Sequence, residues 1–163
     1  MLGFMTSPRI YQIDPSRSTW RLHVGDTEIR NVAGELRELN GNLVFNAEDA
    51  SASRLNLWTA TAASRPWRIR FFSWRFREVG RREYWVPGAL TIGDLTKVVS
   101  LRVRGPTPET TDAHGNLRAG ATALTVLDRT QAVIDPAPGR EVTLRFEIEL
   151  VRRMPAESKR VAA

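Results

Sequence analysis

The chain has 163 residues, a length that fits one domain with a sizeable core and is short for two. Its apolar fraction of 42% and charged fraction of 26% are typical of globular proteins, and no stretch approaches the roughly 18 apolar residues that a membrane-spanning helix needs. The absence of cysteine excludes disulfides, thiolate nucleophiles and zinc sites built on cysteine.

The formal charge of +6 is concentrated in one stretch of the chain. Residues 65–82 contain seven arginines and one acid, Glu78, whereas the remaining residues carry 17 basic and 17 acidic side chains. A solvated strand face explains such a cluster as well as an anionic partner does. The first residues, "MLGFMTSPRIYQIDP", lack the basic and apolar regions of a secretory signal, so we expect a cytoplasmic protein.

Apolar and polar residues alternate with a period of two along most of the chain, which predicts an all-β protein. In chain order, the side chains predicted to point inward are Trp20, Leu22 and Val24, then Leu55 and Leu57, then Leu90, Ile92, Val99, Leu101 and Val103, then the small Ala119, Ala121 and Ala123. The clearest strand is "EVTLRFEIEL", in which Val142, Leu144, Phe146, Ile148 and Leu150 share one face. Trp58 breaks the second of these patterns.

Turn residues separate the strands at "DPSRS", "LNGN", "AEDASAS", "VPG", "GPTPETTDAHGN" and "DPAPG". Asn40 and Gly41 fit either a tight hairpin or a bulge in one long bent strand. About eight antiparallel strands with one apolar face must close as a barrel or stack as a sandwich, and eight-stranded barrels can hold one small ligand. We predict a single domain over residues 10–153, with flexible termini at residues 1–9 and 154–163.

The arginine-rich stretch "RPWRIRFFSWRFR" has its own alternation. Trp67, Ile69 and Phe71 share one face, after which Phe72, Trp74 and Phe76 share a face in the opposite phase. A β-bulge at Phe71 and Phe72 would keep all these aromatic side chains inside. The outside would then carry a basic surface patch of Arg68, Arg70, Arg75 and Arg77.

This separation of aromatic and basic side chains disfavours nucleic-acid binding, because single-stranded nucleic acids need exposed aromatic rings beside the basic groups. Enzyme chemistry is disfavoured as well, and we name no catalytic residue and expect no cofactor. His23 lies on a predicted polar face and His114 in a turn beside Asp112, and nothing in the sequence brings the two together. "DAH" alone is too little for a metal site.

Several blocks of the chain, taken together, resemble the YceI-like family. The more specific blocks are "DAHGNLRAGATALTVLDRT", which ends at Asp128 and Arg129, and the "ID…S" opening at Asp14 and Ser18. The others are "YQIDPSRSTWRLHVGDTEIRNVAGEL", "GNLVFNAEDASASRLNL", "GALTIGDLTKVVSLRV" and "GREVTLRFEIELVRR". The resemblance spans nearly all of residues 11–153 and implies an antiparallel barrel of lipocalin type that binds isoprenoid or other amphiphilic lipid without chemistry.

Combined with the alternation, this predicts a ligand-binding wall inside the barrel, made of Trp20, Leu22, Phe45, Leu57, Trp67, Ile69, Phe71, Leu90, Phe146 and Ile148. Three features depart from the family pattern. Roughly twenty residues that members carry between the third strand and the arginine-rich stretch are missing after Ser64, Asp26 replaces a histidine, and Trp20 and Trp67 are bulky. A filled barrel without ligand therefore remains an alternative, as does a basic nucleic-acid-binding module.

The arginine stretch suggests further partners. Basic residues near an anionic membrane surface each gain about 1 kcal/mol, so the patch could dock the barrel on a membrane. An acidic protein, or a homodimer with Glu147 and Glu149 facing the arginines, is equally compatible. Arg65 and Arg77 are weak candidates for contacting a ligand phosphate at the barrel mouth, because a guanidinium can donate two hydrogen bonds to one phosphate.

Overall fold

The computed structural model describes residues 8–24, 27–29, 38–60, 68–93, 95–127 and 141–153. Within these ranges, twelve strands form one antiparallel sheet. Their bounds are β1 Arg9–Ile13, β2 Thr19–Val24, β3 Thr27–Ile29, β4 Asn40–Phe45, β5 Arg54–Ala60, β6 Arg68–Ser73, β7 Arg77–Gly80, β8 Glu83–Ile92, β9 Leu95–Arg104, β10 Thr110–Thr111, β11 Leu117–Leu127 and β12 Val142–Arg152. The structure also has a 3₁₀ turn, Ala50–Ala52, which precedes β5. No helix among the described residues is long and apolar enough to cross a membrane.

Eight of the strands close into a barrel, as the sequence predicted. The neighbours around the ring are β11, β9, β8, β6, β5, β4, β1 and β12, and the pairing of β12 with β11 completes it. Strands β2 and β3 extend from β12, while β7 pairs with β8 and β10 with β11. Because four steps separate β6 from β12 in either direction, these two strands form opposite walls of the barrel.

The alternation predicted for β12 and its neighbours is confirmed. Leu144, Phe146, Ile148 and Leu150 are buried, and the short Ala119 and Ala123 are buried beside them. On β5, Leu55 and Leu57 are buried while Trp58 points outward, so Trp58 continues the alternation rather than breaking it as a core residue. Ala121 is only partly buried.

The predicted chain reversal at "DPSRS" is wrong. Strands β1 and β2 run in the same direction, both antiparallel to β12, with Tyr11 opposite Arg152 and Trp20 opposite Phe146. The turn between them therefore does not reverse the chain, and β1 and β2 pair with successive parts of the same edge of β12. The turn stays hydrogen-bonded to β12, because the backbone N–H of Glu149 donates to the Ser18 hydroxyl at 2.9 Å.

The predicted turn at "VPG" is also wrong, since β8 runs straight through Val86, Pro87 and Gly88. Proline lacks an N–H and is tolerated in a sheet only where no partner needs that donor. Pro87 lies beside the gap between the end of β6 and the start of β7, where its carbonyl accepts a hydrogen bond from the N–H of Trp74 at 3.0 Å. The missing donor thus coincides with a break in the neighbouring strand.

The β-bulge predicted at Phe71 and Phe72 is absent. Along β6, Ile69, Phe71 and Ser73 are buried while Arg68, Arg70 and Phe72 are exposed. Phe71 is in register with Leu57 on one side and Leu90 on the other, both of which point inward, and this register holds Phe72 outside. The buried Ser73 hydroxyl accepts a hydrogen bond from the backbone N–H of Leu55 at 2.7 Å, which explains a polar residue on the inner face.

The change of phase occurs after β6 has ended. Trp74 is exposed, and Phe76 is buried, with its ring centroid 5.5 Å from that of Tyr84. The prediction that Phe72 and Trp74 lie inside is therefore wrong, while that for Phe76 is confirmed. At Asn40 and Gly41 the hairpin alternative is wrong too, because both belong to β4. The bent-strand alternative concerns residues 30–37, which lie outside the described residues.

Candidate functional site

The predicted ligand-binding wall forms the interior of the barrel. Eight of its residues have side chains that the structure describes, and each is at most 7% exposed: Trp20, Phe45, Leu57, Ile69, Phe71, Leu90, Phe146 and Ile148. Leu57, Phe71 and Leu90 stand side by side on three adjacent strands. The Leu22 side chain and the whole of Trp67 lie outside the described residues.

The low exposure of these walls bears on what the interior can hold. An open cavity would leave solvent-accessible surface on the side chains that line it, whereas close-packed interiors leave almost none. Phe71, Phe146, Leu101 and Leu144 are each fully buried. The described residues of the predicted wall do line one interior surface, and they are as buried as the residues of a close-packed core.

One end of the barrel is closed by aromatic side chains. The ring centroids of Phe45 and Tyr84 lie 5.9 Å apart with an edge-to-face geometry, and the Phe76 ring also packs against Tyr84. Burial raises the pKa of the Tyr84 hydroxyl above its ordinary value. We call this end, where β4 finishes and β5 starts, the sealed end.

A charged cluster holds the strand ends together on the same side. Glu109 accepts a hydrogen bond from the Tyr11 hydroxyl at 2.8 Å and another from Arg152 at 3.1 Å. Burial, followed by this hydrogen bond to Glu109, raises the pKa of Tyr11. The contacts join β1 and β12 to the segment that precedes β10.

Arg118 links the two sequence blocks that are the most specific part of the family resemblance. Its Nε donates to Asp112 at 2.6 Å and its Nη1 to Asp14 at 2.9 Å, and Glu149 lies 3.6 Å away. The Arg118 hydrogen bond is the main cause that lowers the pKa of Asp112. The pKa of Asp14 is lowered by the Ser16 hydroxyl and then by Arg118.

Asp112 also accepts hydrogen bonds from the backbone N–H groups of His114 and Asn116, which shapes the turn into β11. The "D…GN.RAG" and "ID…S" blocks therefore meet in one ion cluster, which we call the Arg118 latch: Arg118, Asp14, Asp112 and Glu149. All three carboxylates of this cluster already form an ion pair with Arg118. The arrangement is that of a structural connection between β1, the β10–β11 turn and β12.

The barrel wall separates between β9 and β11. The ladder joins Thr122 to Arg104, Ala123 to Val103 and Leu124 to Arg102, and the described residues continue on both strands without further pairs. A cleft of about 440 Å³ occupies the separation, lined by Trp85, Val98, Val99, Ser100, Arg102, Leu124, Thr125 and Val126. We call it the seam cleft. Its walls include the inward Val99 and Thr125 and the outward Val98 and Val126.

The outside of β5, β6, β8 and β9 carries large apolar side chains. Phe72 is 46% exposed, Trp74 48% and Val98 63%, and Trp58 and Trp85 are also exposed. Register places these side chains together: Phe72 is opposite Ala89, which is opposite Val98, and Trp58 is opposite Arg70. We call the surface formed by Trp58, Arg70, Phe72, Trp74, Trp85 and Val98 the aromatic face.

The predicted basic residues Arg68, Arg70, Arg75 and Arg77 are all exposed. Arg77 lies at the sealed end and shares a surface hollow with Glu48 and Asp49, so it does not stand at an open mouth of the barrel as the sequence suggested. Arg65 lies outside the described residues. A groove of about 620 Å³ that the sequence did not predict lies on the outer surface of β11 and β12, and its lining includes Arg17, Arg81, Arg82, Glu147 and Glu149.

The two histidines are not brought together. His23 is half-buried on β2 opposite Thr143, and His114 is exposed in the β10–β11 turn. Among the described residues, no group of three or more histidine, aspartate or glutamate side chains is arranged to hold a metal ion. The departures at Asp26 and after Ser64 fall outside the described residues, while the bulky Trp20 is buried in the interior.

No family model and no curated protein matches the chain. Solved structures do. The crystal structure of the Campylobacter jejuni YceI protein that crystallizes with large solvent channels has a TM-score of 0.53 and 15% identity, covering 78% of this chain and 89% of that one. A mutant of that protein made for nanotechnology applications, and another with a monobromobimane guest, each have a TM-score of 0.55 with the same identity and coverage. The chain therefore has the fold of the YceI protein, an antiparallel eight-stranded β-barrel of lipocalin type.

Proposed function

We propose that the protein binds an isoprenoid or similar amphiphilic lipid chain in the barrel interior and does no chemistry on it. The observation that carries the proposal is the continuous apolar inner wall of a closed barrel, with Leu57, Phe71 and Leu90 side by side and Phe146 on the opposite strand. Eight-stranded barrels of this type can hold one small ligand. The likeness to YceI structures supports the same barrel architecture.

The route of the ligand follows from which parts of the wall are closed. Phe45, Phe76 and Tyr84 fill the sealed end, whereas the seam cleft has both the outward Val98 and the inward Val99 in its walls. We infer that a chain enters through the seam cleft or the end opposite to the sealed one. Entering requires the interior side chains to move apart, because they are buried in the absence of ligand.

Energetics favour such binding from water. Each methylene removed from water contributes about 0.8 kcal/mol, so even part of a prenyl chain offsets some separation of core side chains. The same chain gains little on leaving a bilayer, where it is already in an apolar surrounding. The protein is thus suited to carrying or shielding a chain that would otherwise lie in water.

A filled barrel without ligand is the second candidate, and one observation favours it directly. The inner wall residues are exposed by at most 7%, which is the packing of a core that needs no further occupant. The two candidates differ in whether the interior opens for an apolar chain.

The test uses the purified protein. Native mass spectrometry and solvent extraction should reveal a co-purifying apolar chain, and a lipid probe whose fluorescence rises in apolar surroundings should be taken up. Val99→Trp, which fills the seam cleft from the inside, should reduce uptake at least tenfold, whereas Ile10→Trp, an outward position on β1 that does not line the cleft, should leave it nearly unchanged. A protein that releases no chain and takes up no probe is the filled barrel.

A further inference from the structure

We propose that the aromatic face docks the protein onto the surface of an anionic lipid bilayer. Docking goes beyond the proposed function, because adhesion of the outer wall requires no lipid inside the barrel. The face lies on β5, β6, β8 and β9, on the side of the barrel opposite to β12.

The exposed apolar side chains are unevenly distributed over the barrel. Nine large ones are exposed among the described residues. Five lie on the outside of β5, β6, β8 and β9 or directly after β6, namely Trp58, Phe72, Trp74, Trp85 and Val98, and Val79 lies on β7, which pairs with β8. The other three lie elsewhere: Leu124 and Val126 on β11, which pairs with β12, and Ile10 on β1. A clustered apolar surface on a monomer is typical of an interaction site.

The charges on this side are mostly basic, with Glu83 on β8 and Glu78 on β7 as the exceptions on these strands. Strands β5, β6 and β9 contain no acidic residue and carry Arg54, Arg68, Arg70, Lys97, Arg102 and Arg104. Glu83 of β8 pairs with Arg102 and Arg104 at 3.6 and 2.7 Å. The opposite wall differs, because Glu147 and Glu149 lie on the outside of β12. The excess of basic over acidic side chains is therefore larger on the apolar side than on β12, where Arg145 and Arg152 accompany the two glutamates.

Indole rings beside arginines suit the boundary between lipid headgroups and acyl chains. Tryptophan is enriched there because its ring is largely apolar while its N–H can remain hydrated. Trp58 stands opposite Arg70, so an indole and a guanidinium are neighbours across β5 and β6. Basic side chains at this depth are attracted by the negative headgroups of anionic lipids.

Two other occupants fit less well. Nucleic-acid bases stack on flat rings, whereas Val98, the most exposed apolar side chain of this face, is aliphatic and offers no such surface. A second copy in a twofold contact would bring the same arginines of both chains together, and like charges repel. A bilayer accepts aromatic, aliphatic and cationic groups at once.

Docking by this face also places the seam cleft at the membrane, because Trp85 and Val98 belong to both. The cleft would then face the source of an apolar chain. This consequence depends on the proposed lipid binding, while docking itself does not. The two proposals are thus separable, since probe uptake from solution and binding to vesicles are measured independently.

The test is sedimentation with vesicles. The protein should sediment with vesicles of equimolar phosphatidylcholine and phosphatidylglycerol and much less with vesicles of phosphatidylcholine alone. Arg68→Gln with Arg70→Gln should weaken partitioning about tenfold or more, and Phe72→Ser with Trp74→Ser by a similar factor. Matched controls lie on or beside the opposite wall: Arg145→Gln and Ile10→Ser should change partitioning less than about twofold.

Several outcomes would overturn docking. These are equal partitioning to both vesicle types, control variants that lose as much binding as face variants, or tighter binding to a single-stranded oligonucleotide that the face variants abolish. Dimerisation abolished by the same variants would also overturn it. If a variant of the aromatic face fails to fold, the unmodified protein still tests the proposal. Brominated lipids in anionic vesicles should quench its tryptophan fluorescence, and unchanged emission contradicts the proposal.

Discussion

The ring of Phe71 occupies the space that a side chain at Gly88 would need. A Cβ built on Gly88 would lie 2.7 Å from the Phe71 Cζ and 2.3 Å from the backbone oxygen of Phe72. The Phe71 ring lies inside the barrel, and the Phe72 oxygen belongs to the backbone of β6, which is paired with β8. Neither can therefore move away freely. Glycine is thus required by the close approach of an aromatic ring.

Gly88→Ala should therefore destabilise the protein by about 1–3 kcal/mol, the usual cost of overpacking a core. Gly120→Ala is the matched control, since the nearest atoms to its Cβ lie 3.8 Å away and the backbone is extended. It should be neutral or slightly stabilising. Urea unfolding followed by circular dichroism measures both, and equal effects of the two substitutions would contradict the packing described.

Substituting neighbouring phenylalanines tests the register of β6. Phe71→Ala removes a fully buried ring and should cost about 3–5 kcal/mol. Phe72→Ala trims an outward ring and should cost less than about 1 kcal/mol. The comparison uses the free energy of unfolding in urea. Losses of similar size would mean that both rings lie inside, as the bulge predicted from the sequence requires, and a reversed order would contradict the register of β6.

Breaking the Arg118 latch should weaken the fold. Arg118→Met keeps much of the apolar stem but leaves Asp14 and Asp112 without the guanidinium, and a loss of about 2 kcal/mol is expected for charged hydrogen bonds. Arg145→Met, which removes the exposed pair with Glu147, is the control and should cost less than about 1 kcal/mol. Thermal denaturation distinguishes the two.

The same latch predicts loss of stability in acid. The pKa values of Asp14 and Asp112 are lowered in the folded protein, so their contribution is complete above the ordinary aspartate pKa of about 4 and is lost as the pH falls through the folded values. Stability should fall below about pH 4. The fall should be shallower in Arg118→Met, and identical slopes in both proteins would rule out the latch as its origin.

The alternation of single strands could be predicted because it is local. The spacing of Leu144, Phe146 and Leu150 within a few residues of sequence indicates that they share one face of a strand. Closure into a barrel follows because that apolar face must be removed from water. The order Phe71, Phe72 carries no such information, since either ring could point inward. Register with Leu57 and Leu90 decides it, and those partners are distant in the chain.

The candidate site shows the same division. The residues of the inner wall were predictable, but their tight burial was not, because packing depends on how side chains from eight strands fit together. Arg118 could be marked as part of a specific block, yet one of its partners, Asp14, lies 104 residues earlier. The aromatic face was missed because aromatic side chains were assumed to avoid water.

The separation of β9 from β11 has a mechanical consequence. In a barrel whose strands are paired along their whole length, strand number and stagger determine the diameter. Beyond Leu124 and Arg102 no ladder pair of the described residues ties these two strands together. From Thr125 to Leu127, the distance between the two strands can therefore change without breaking a ladder hydrogen bond between described residues, whereas the pairs from Thr122 to Leu124 fix that distance nearer the sealed end.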